Sequence, residues 1–242
     1  MTFFNCYANA TRAAAYAKLE FANTYYLAFR DLPELFQRHV QGTTALDFGS
    51  GTGRSTRFLR RLGFATVGVD ISSEMIGRAR EIDPEGDYRL IPGDDMTGLP
   101  QAGFALVLAA FTFDNIPGMQ AKVRLFRDLR GLLTAGGVIV NVVSAPEIYV
   151  HEWASFSTRD FPENRLAGAG DLVKIITTDF EDRAPAMDVL WPDDAYREVY
   201  AEANLQVAEM LKPLARGDEP FTWISETQIA PWVIYVLKRA EE

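Results

Sequence analysis

Three glycines alternate with small polar residues in residues 47–53, which read Asp-Phe-Gly-Ser-Gly-Thr-Gly. Glycine adopts positive φ angles without strain and lets a ligand approach the backbone closely. If a helix begins directly after this run, its first N–H groups lack partners within the helix and can face the same ligand. The carboxylate of Asp47 would repel a pyrophosphate but would attract an ammonium group. The run therefore predicts a crevice for a ligand that carries a positively charged amino group.

Two common phosphate-binding patterns do not fit this run. A dinucleotide fingerprint, G-x-G-x-x-G counted from Gly49, would need its third glycine where Arg54 stands. A P-loop would need a Gly-Lys-Ser/Thr ending, which is absent. Further acids follow the next apolar runs: Asp70 ends residues 67–70, and residues 93–96 read Gly-Asp-Asp-Met. A carboxylate placed like Asp70 can bind both hydroxyls of a ribose.

Alternating strands and helices position these residues. The hydrophobic pattern predicts strands over residues 45–48, 65–69, 88–91, 104–110 and 138–143. Helices are predicted between them over residues 55–62, 73–81 and 120–133, the last ended by Gly136 and Gly137. This rhythm is typical of an α/β fold with a doubly wound, mostly parallel sheet. The glycine run and Asp70 would then meet at the carboxyl edge of that sheet.

The remaining segments surround this core. At the N-terminal side, helices are predicted over residues 8–29 and 31–40. At the C-terminal side, a helix over 194–203 is followed by strands over 205–211 and 232–237. We expect these two strands to form an antiparallel pair at one edge of the sheet. A long insertion contains residues 173–178 and 187–191, which can pair as a hairpin. We expect four parts: an N-terminal helical cap over 1–42, the core over 43–144, a lid and substrate insertion over 145–192, and a helix with two strands completing the core over 193–242.

Residues 45–72, 93–96 and 109–116 together resemble the class I SAM-dependent methyltransferases (SAM, S-adenosylmethionine). The resemblance covers residues 43–143, with weaker likeness in the final helix and strand pair. It implies a Rossmann-like, seven-stranded sheet in the order 3-2-1-4-5-7-6 with the last strand antiparallel. It also implies SAM as the cofactor and S-adenosylhomocysteine as its product.

The resemblance assigns parts of the cofactor to residues. The glycine loop would wrap the methionine part, Asp47 would help to hold the amino group, Asp70 would bind the ribose, and Ile71 would pack on the adenine. An Asp-Met pair would bind the adenine edge; Asp95 is favoured over Asp94 because it stands four residues before Leu99-Pro100. The full set of implied cofactor contacts is Asp47, Gly49, Ser50, Gly51, Thr52, Gly53, Asp70, Ile71, Met75, Asp94, Asp95, Met96, Ala110 and Phe111.

Methyl transfer needs an in-line arrangement and exclusion of water more than it needs a signature base. Two groups could accept a proton: Asp114, which could also orient an amine or simply cap the next helix, and His151, which could also be an ordinary surface histidine. His39, at a helix end, is expected to be structural. Aromatic and polar residues near the crevice predict the substrate site: Tyr7, Tyr16, Tyr25, Phe113, Asn115, Tyr149 and Trp153.

Composition limits the partners. The net charge is −9 and no basic patch stands out, which disfavours nucleic acid and anionic membranes. No apolar run has the roughly 20 residues that span a bilayer, no secretory leader is apparent, and one cysteine gives no disulfide, so a cytoplasmic location is expected. No Cys or His cluster predicts a metal site.

The function that these features favour is methylation of an O or N atom of a small molecule, and the oligomeric state stays undetermined. Two alternatives remain open: a nicotinamide-dependent oxidoreductase, and a SAM-binding protein without catalysis.

Overall fold

A seven-stranded sheet forms the centre of the molecule. The structure is a computed structural model that describes residues 21–93, 95–179 and 183–240. In chain order, the strands are β1 (Thr44–Phe48), β2 (Ala65–Asp70), β3 (Asp87–Leu90), β4 (Phe104–Ala110), β5 (Leu133–Ser144), β6 (Phe156–Ser157), β7 (Leu172–Thr177), β8 (Ala186–Val189), β9 (Leu205–Leu211) and β10 (Trp232–Arg239). The helices are α1 (Thr24–Phe29), α2 (Leu32–His39), α3 (Arg54–Arg61), α4 (Ser73–Ile82), α5 (Met119–Leu132) and α6 (Asp193–Glu202).

The strand order of the central sheet is β3-β2-β1-β4-β5-β10-β9. The first five strands pair in parallel, and β10 runs antiparallel to both β5 and β9. This arrangement confirms the predicted order and the predicted antiparallel pair at the edge. Because β1, β2 and β4 are parallel neighbours, their carboxyl ends lie side by side, and the glycine run, Asp70 and the segment after β4 meet there.

Apolar clusters cover both faces of the sheet. One face packs against α5 and α6, and the other packs against α1, α2 and the insertion. β4 lies between them, and only Ala110 at its end escapes full burial. A strand buried on both faces reads as an unbroken apolar run, which is why its bounds could be predicted residue by residue.

The glycine pair Gly136-Gly137 has a different role from the predicted one. Helix α5 ends at Leu132 and β5 begins at the next residue, so both glycines lie inside the strand and do not end the helix. A Cβ atom on Gly137 would stand 2.8 Å from the carbonyl oxygen of Phe104 in β4. The glycine therefore permits a close approach of two strands, next to a shift in their register.

The insertion forms a small antiparallel sheet in the order β6-β7-β8. The predicted hairpin corresponds to β7 and β8, which pair with Leu172 opposite Val189, and β6 adds a short third strand. Towards the N-terminus, α1 and α2 represent the predicted cap, although residues 8–20 of its first predicted helix lie outside the described residues. Within the described part of the chain, no helix combines the length and apolar character needed to cross a bilayer.

A buried carboxylate joins three segments that are distant in the sequence. Glu226 is fully buried, and its Oε1 accepts hydrogen bonds from the Thr24 hydroxyl (2.6 Å) and the Ala154 amide (2.7 Å). Its Oε2 accepts hydrogen bonds from the amides of Ile224 (2.8 Å) and Ser225 (3.1 Å). The carboxylate thus ties α1, the insertion and the loop before β10 together.

We expect Glu226→Ala to lower the free energy of unfolding by about 2–5 kcal/mol, because it leaves several buried donors without an acceptor. Urea denaturation measures this loss. Glu85→Ala is the matched control, since Glu85 is an exposed glutamate in a turn. Equal stability of the two variants would show that the Glu226 network contributes little to folding.

Candidate active site

The glycine loop, residues 49–53, has the backbone geometry that its sequence predicts. Gly49, Gly51 and Gly53 all have positive φ angles, of 75°, 53° and 82°. The amides of Gly49 and Ser50 both donate to the carbonyl of Val69 at 2.9 Å, which fastens the loop to the end of β2. Gly53 is the residue before α3, so the first N–H groups of this helix follow the loop directly.

Packing makes glycine necessary at two of these positions. A Cβ on Gly49 would stand 2.3 Å from the Thr112 hydroxyl oxygen, and a Cβ on Gly53 would stand 2.5 Å from the Tyr88 hydroxyl oxygen. The Thr112 hydroxyl also donates to the carbonyl of Phe48 at 2.8 Å. The segment after β4 is therefore seated against the glycine loop, and the two loops form one surface at the sheet edge.

Asp47 lies buried beneath the loop. Its Oδ2 accepts hydrogen bonds from the hydroxyls of Ser55 (2.7 Å) and Thr56 (2.6 Å), both at the start of α3. Its Oδ1 is buried and has no hydrogen-bond partner in the described part of the chain, and the same holds for the hydroxyl of Ser50. Burial raises the pKa of Asp47 to about 6, although its hydrogen bonds act in the opposite direction. An unpaired carboxylate oxygen at this place suits a cationic ligand.

Asp70 ends β2 beside the loop. Its Oδ2 accepts a hydrogen bond from the Gly51 amide (2.8 Å) and its Oδ1 accepts one from the Ser72 amide (2.9 Å). A carboxylate has about four acceptor positions, so each oxygen can still accept a ligand hydroxyl. Burial raises the pKa of Asp70, partly offset by these backbone hydrogen bonds.

The other predicted cofactor contacts on this side follow β2 and β3 in the sequence. Ile71 follows Asp70 and is 42% exposed, which leaves its side chain accessible to a flat group, whereas Met75 and Met96 are buried. Asp95 is exposed and accepts hydrogen bonds from the amide (2.9 Å) and the hydroxyl (2.6 Å) of Thr97, which lower its pKa. Asp94 lies outside the described residues.

The segment after β4 contains a strained residue. Phe111 has a φ angle of +64° although it is not glycine, a conformation that costs about 1–2 kcal/mol. Its amide donates to the Val142 carbonyl, and its ring lies 4.7 Å from the ring of Trp232 and 5.9 Å from that of Tyr25. Ala110 precedes it at the end of β4. Strain of this kind concentrates at functional sites.

Asp114 is buried and bonds to the end of the neighbouring strand. Its carboxylate accepts hydrogen bonds from the amide (3.1 Å) and the hydroxyl (2.9 Å) of Ser144, at the end of β5. The residue before α5 is Gly118, so the interpretation of Asp114 as a cap of that helix is wrong. Burial, and secondarily the charge of Asp188, raise the pKa of Asp114 to about 7. The side chain of Asn115 donates to the Phe111 carbonyl at 3.2 Å.

A buried lysine next to Asp114 was missed by the sequence analysis. Lys122 is fully buried on α5, and its ammonium donates to the carbonyl of Phe113 and lies 5.1 Å and 5.4 Å from the rings of Trp191 and Tyr196. Burial lowers its pKa to about 8, although Asp114 and Asp188 favour the charged form. The signal was present in the sequence, because Lys122 shares helical spacing with buried Leu125, Leu129 and Leu132.

The predicted substrate residues occupy different environments. Tyr25 is buried against Phe111, Phe156 and Trp232, and the guanidinium of Arg54 lies 4.8 Å from its ring. Phe113, Tyr149 and Trp153 are buried as well: Phe113 stacks on Phe126, the Tyr149 hydroxyl donates to Asp188, and the Trp153 indole donates to the Ile148 carbonyl. Tyr7 and Tyr16 lie outside the described residues.

His151 lies in the insertion, half-buried, on the wall of a cavity of about 280 Å³. Its ring lies edge-on to the ring of Trp153 at 6.3 Å. The other histidine, His39, is the last residue of α2. Its Nε2 lies 2.5 Å from Oε2 of Glu209 in β9. Among the residues that the structure describes, no group of three or more His, Cys, Asp and Glu side chains could hold a metal ion.

The sheet has the strand order of the Rossmann-like methyltransferase fold, and the glycine loop lies between acids at or next to the ends of β1 and β2. Residues 46–141 match a family model described as a methyltransferase domain. The matched stretch contains the glycine loop, Asp47 and Asp70, and the cofactor that the match implies is SAM. The residues present fit that cofactor: the unpaired oxygen of Asp47 would hold its amino group, and Asp70 has free acceptor positions for its ribose.

Curated relatives are similar in sequence to part of this chain, and solved structures share its fold. It is 30% identical over 126 residues to 2-methyl-6-phytyl-1,4-hydroquinone methyltransferase of Synechocystis (51% of this chain, 36% of that one) and 34% identical over 112 residues to demethylmenaquinone methyltransferase of Tropheryma whipplei (45% of each chain). The chain thus spans less than half the length of these curated relatives. A SAM-dependent methyltransferase structure from Clostridium acetobutylicum shares the fold, with a TM-score of 0.64, 14% identity, and coverage of 99% of this chain and 100% of that one.

Asp47→Asn should separate the stability of the protein from its affinity for the cofactor. At pH 8 we expect the free energy of unfolding of the variant, measured by urea denaturation, to be about 1–3 kcal/mol higher than that of the wild type. The reason is that a buried charge is removed. We also expect S-adenosylhomocysteine to bind at least about tenfold more weakly by calorimetry, because a charge-assisted contact is lost.

The pH dependence checks the cause. The folded-state pKa of Asp47, about 6, lies above its ordinary value of 3.8, so its stabilising contribution is present at low pH and is lost as the pH rises through 6. The stability gain of Asp47→Asn should therefore shrink between pH 8 and pH 5. A gain that is the same at both pH values would assign the effect to something other than this carboxylate.

Proposed function

We propose that this protein transfers the methyl group of SAM to an oxygen or nitrogen atom of a small-molecule acceptor by in-line displacement. The observation that carries the proposal is the buried, unpaired Oδ1 of Asp47 beneath the glycine loop, together with Asp70 at the neighbouring strand end. Two acids at this edge favour an amino acid joined to a nucleoside over a pyrophosphate. When bound, SAM supplies a methyl group already activated by the positive sulfonium.

The chain's own contribution is to hold the reactants in place and to keep water out. Asp47 would hold the amino group of the cofactor and Asp70 its ribose, and the strained Phe111 lies on the segment after β4, with its ring against Tyr25 and Trp232. The rings of Tyr25, Phe111, Phe156 and Trp232 form a contiguous aromatic cluster next to this segment. Such a wall favours a flat or apolar acceptor, which agrees with the hydroquinone and menaquinone precursors named for the two relatives.

The proton-accepting role is assigned to His151. The carboxylate of Asp114 is buried and accepts hydrogen bonds from the amide and the hydroxyl of Ser144, so we assign it to orienting the segments at the ends of β4 and β5. His151 is partly exposed on a cavity wall of the insertion, where a ligand can reach it, and histidine is the side chain that most often serves as a general base. The insertion, residues 145–192, serves as the lid over the acceptor.

A nicotinamide oxidoreductase is disfavoured by two features. Arg54 occupies the place of the third glycine of a dinucleotide fingerprint, and the carboxylate of Asp47 lies where a pyrophosphate would need only donors.

Labelled SAM tests the proposal directly. Incubation with fractionated small metabolites should transfer the labelled methyl group to a small organic molecule, and not to RNA or protein. Asp70→Ala should abolish the transfer and weaken S-adenosylhomocysteine binding at least about tenfold, since a buried charged contact is worth about 1.5–3 kcal/mol. Binding of S-adenosylhomocysteine without any transfer would instead indicate a SAM-binding protein that is not an enzyme.

His151→Gln should lower the turnover number by about 10²-fold or more, which is the usual contribution of a positioned base. The affinity for S-adenosylhomocysteine should stay within about twofold of wild type, because His151 lies in the insertion and outside the cofactor crevice. His39→Gln, which changes the other histidine, is the matched control and should retain activity. Full turnover in His151→Gln would remove this residue from the proton-transfer step.

A further inference from the structure

The cavity beside His151 is formed entirely by residues of the insertion. It has a volume of about 280 Å³ and lies between residues 149–152, which follow β5, and residues 158–165, which follow β6. Its wall contains two arginines, Arg159 and Arg165, one histidine, and one acid, Glu152. The protein as a whole has a net charge of −9, so this concentration of basic groups runs against the general charge of the surface.

The acid in the wall is already satisfied by its own neighbours. Oε1 of Glu152 accepts a hydrogen bond from the Thr158 amide (2.7 Å), and Oε2 accepts one from the Ser157 hydroxyl (2.8 Å). Arg159 approaches the same carboxylate at 3.6 Å with only part of its guanidinium. These bonds join Glu152 to the end of β6, and two arginines against one acid leave the cavity wall with a basic surplus.

Arg165 is held by the backbone and keeps most of its donors. Its Nη2 donates to the Val150 carbonyl at 3.2 Å, and a guanidinium has five N–H donors in a planar fork. The remaining donors of Arg159 and Arg165 match the two oxygens of a carboxylate or the oxygens of a phosphate. A fork fixed at one corner loses less side-chain entropy when it binds such a group.

The other walls are apolar. Phe161 and Pro162 line the cavity, and Tyr149 and Val150 complete it on the side of the core. Pockets for drug-sized ligands measure about 300–1,000 Å³, so this cavity suits a molecule about the size of one substituted ring. Apolar walls with a basic rim fit an apolar body that carries one acidic group.

We infer that this cavity binds a small organic anion, in which a carboxylate or a phosphate group sits on a single-ring body. The anionic group pairs with Arg159 and Arg165, and the ring packs against Phe161 and Pro162. This inference rests on the proposed function in one respect: the anion is taken as the charged part of the methyl acceptor, placed beside His151. Binding of the anion itself is measured without methyl transfer.

The test is an NMR titration of the ¹⁵N-labelled full chain with benzoate, benzamide, phenyl phosphate and inorganic phosphate. Benzoate should bind at least about tenfold more tightly than neutral benzamide, because the charge makes the contact to the arginines. Amide shifts should concentrate in residues 149–152 and 158–165. The tighter of benzoate and phenyl phosphate identifies the acidic group.

Paired variants provide the control. Arg159→Gln with Arg165→Gln should weaken benzoate binding about tenfold or more, and Arg78→Gln with Arg89→Gln, which removes the same charge from exposed arginines elsewhere, should change it less than about twofold. S-adenosylhomocysteine affinity should be unchanged in both pairs, so loss of anion binding alone leaves the proposed function intact. Equal binding of benzoate and benzamide, equal effects of both pairs, or inorganic phosphate as tight as phenyl phosphate would overturn the inference.

Discussion

The burial of one carboxylate, Asp47, is the constraint on which the site depends. Its position at the end of β1 places a negative charge under the glycine loop, where water cannot reach it, and two hydroxyls of α3 satisfy only one of its oxygens. This buried charge carries a cost in stability, and a ligand ammonium would offset that cost. Preorganisation at the expense of stability is common at functional sites. The glycine loop lies over this carboxylate, and its lack of side chains lets a ligand approach the carboxylate closely.

Residues from several strands and loops contact the glycine loop and fix its shape. Thr112, after β4, fills the space that a side chain at Gly49 would need, and Tyr88 of β3 does the same at Gly53. The loop after β1 is thus supported by the segment after β4 on one side and by a side chain of β3, two strands away, on the other. The backbone at Phe111 has a strained, positive φ angle, and its amide donates a hydrogen bond to the Val142 carbonyl of β5. The geometry of this crevice therefore depends on β1, β3, β4 and β5 together, and no single motif sets it.

Sequence patterns predicted the sheet and the motif but not the tertiary partners. Strand β4 and the glycine loop were recognisable because each is governed by local rules, burial on both faces and positive φ angles. Gly137 was misassigned because its close contact is to Phe104, which is distant in sequence. The partners of Asp114 and Lys122 were likewise invisible, since Ser144 and the Phe113 carbonyl reach them only in the folded chain. The burial of Lys122 was nevertheless available from its helical spacing.

The network around Glu226 has a consequence for exchanging the insertion, residues 145–192. A graft that exchanges the insertion for one from another methyltransferase would have to supply a backbone amide in the place of Ala154, since Glu226 accepts from that amide. It would also have to retain the exchange between Ser155 and Thr24, whose amides and hydroxyls bond reciprocally. The outer strands of the insertion can therefore be changed more freely than residues 154–155, which are tied to α1 and to the loop before β10.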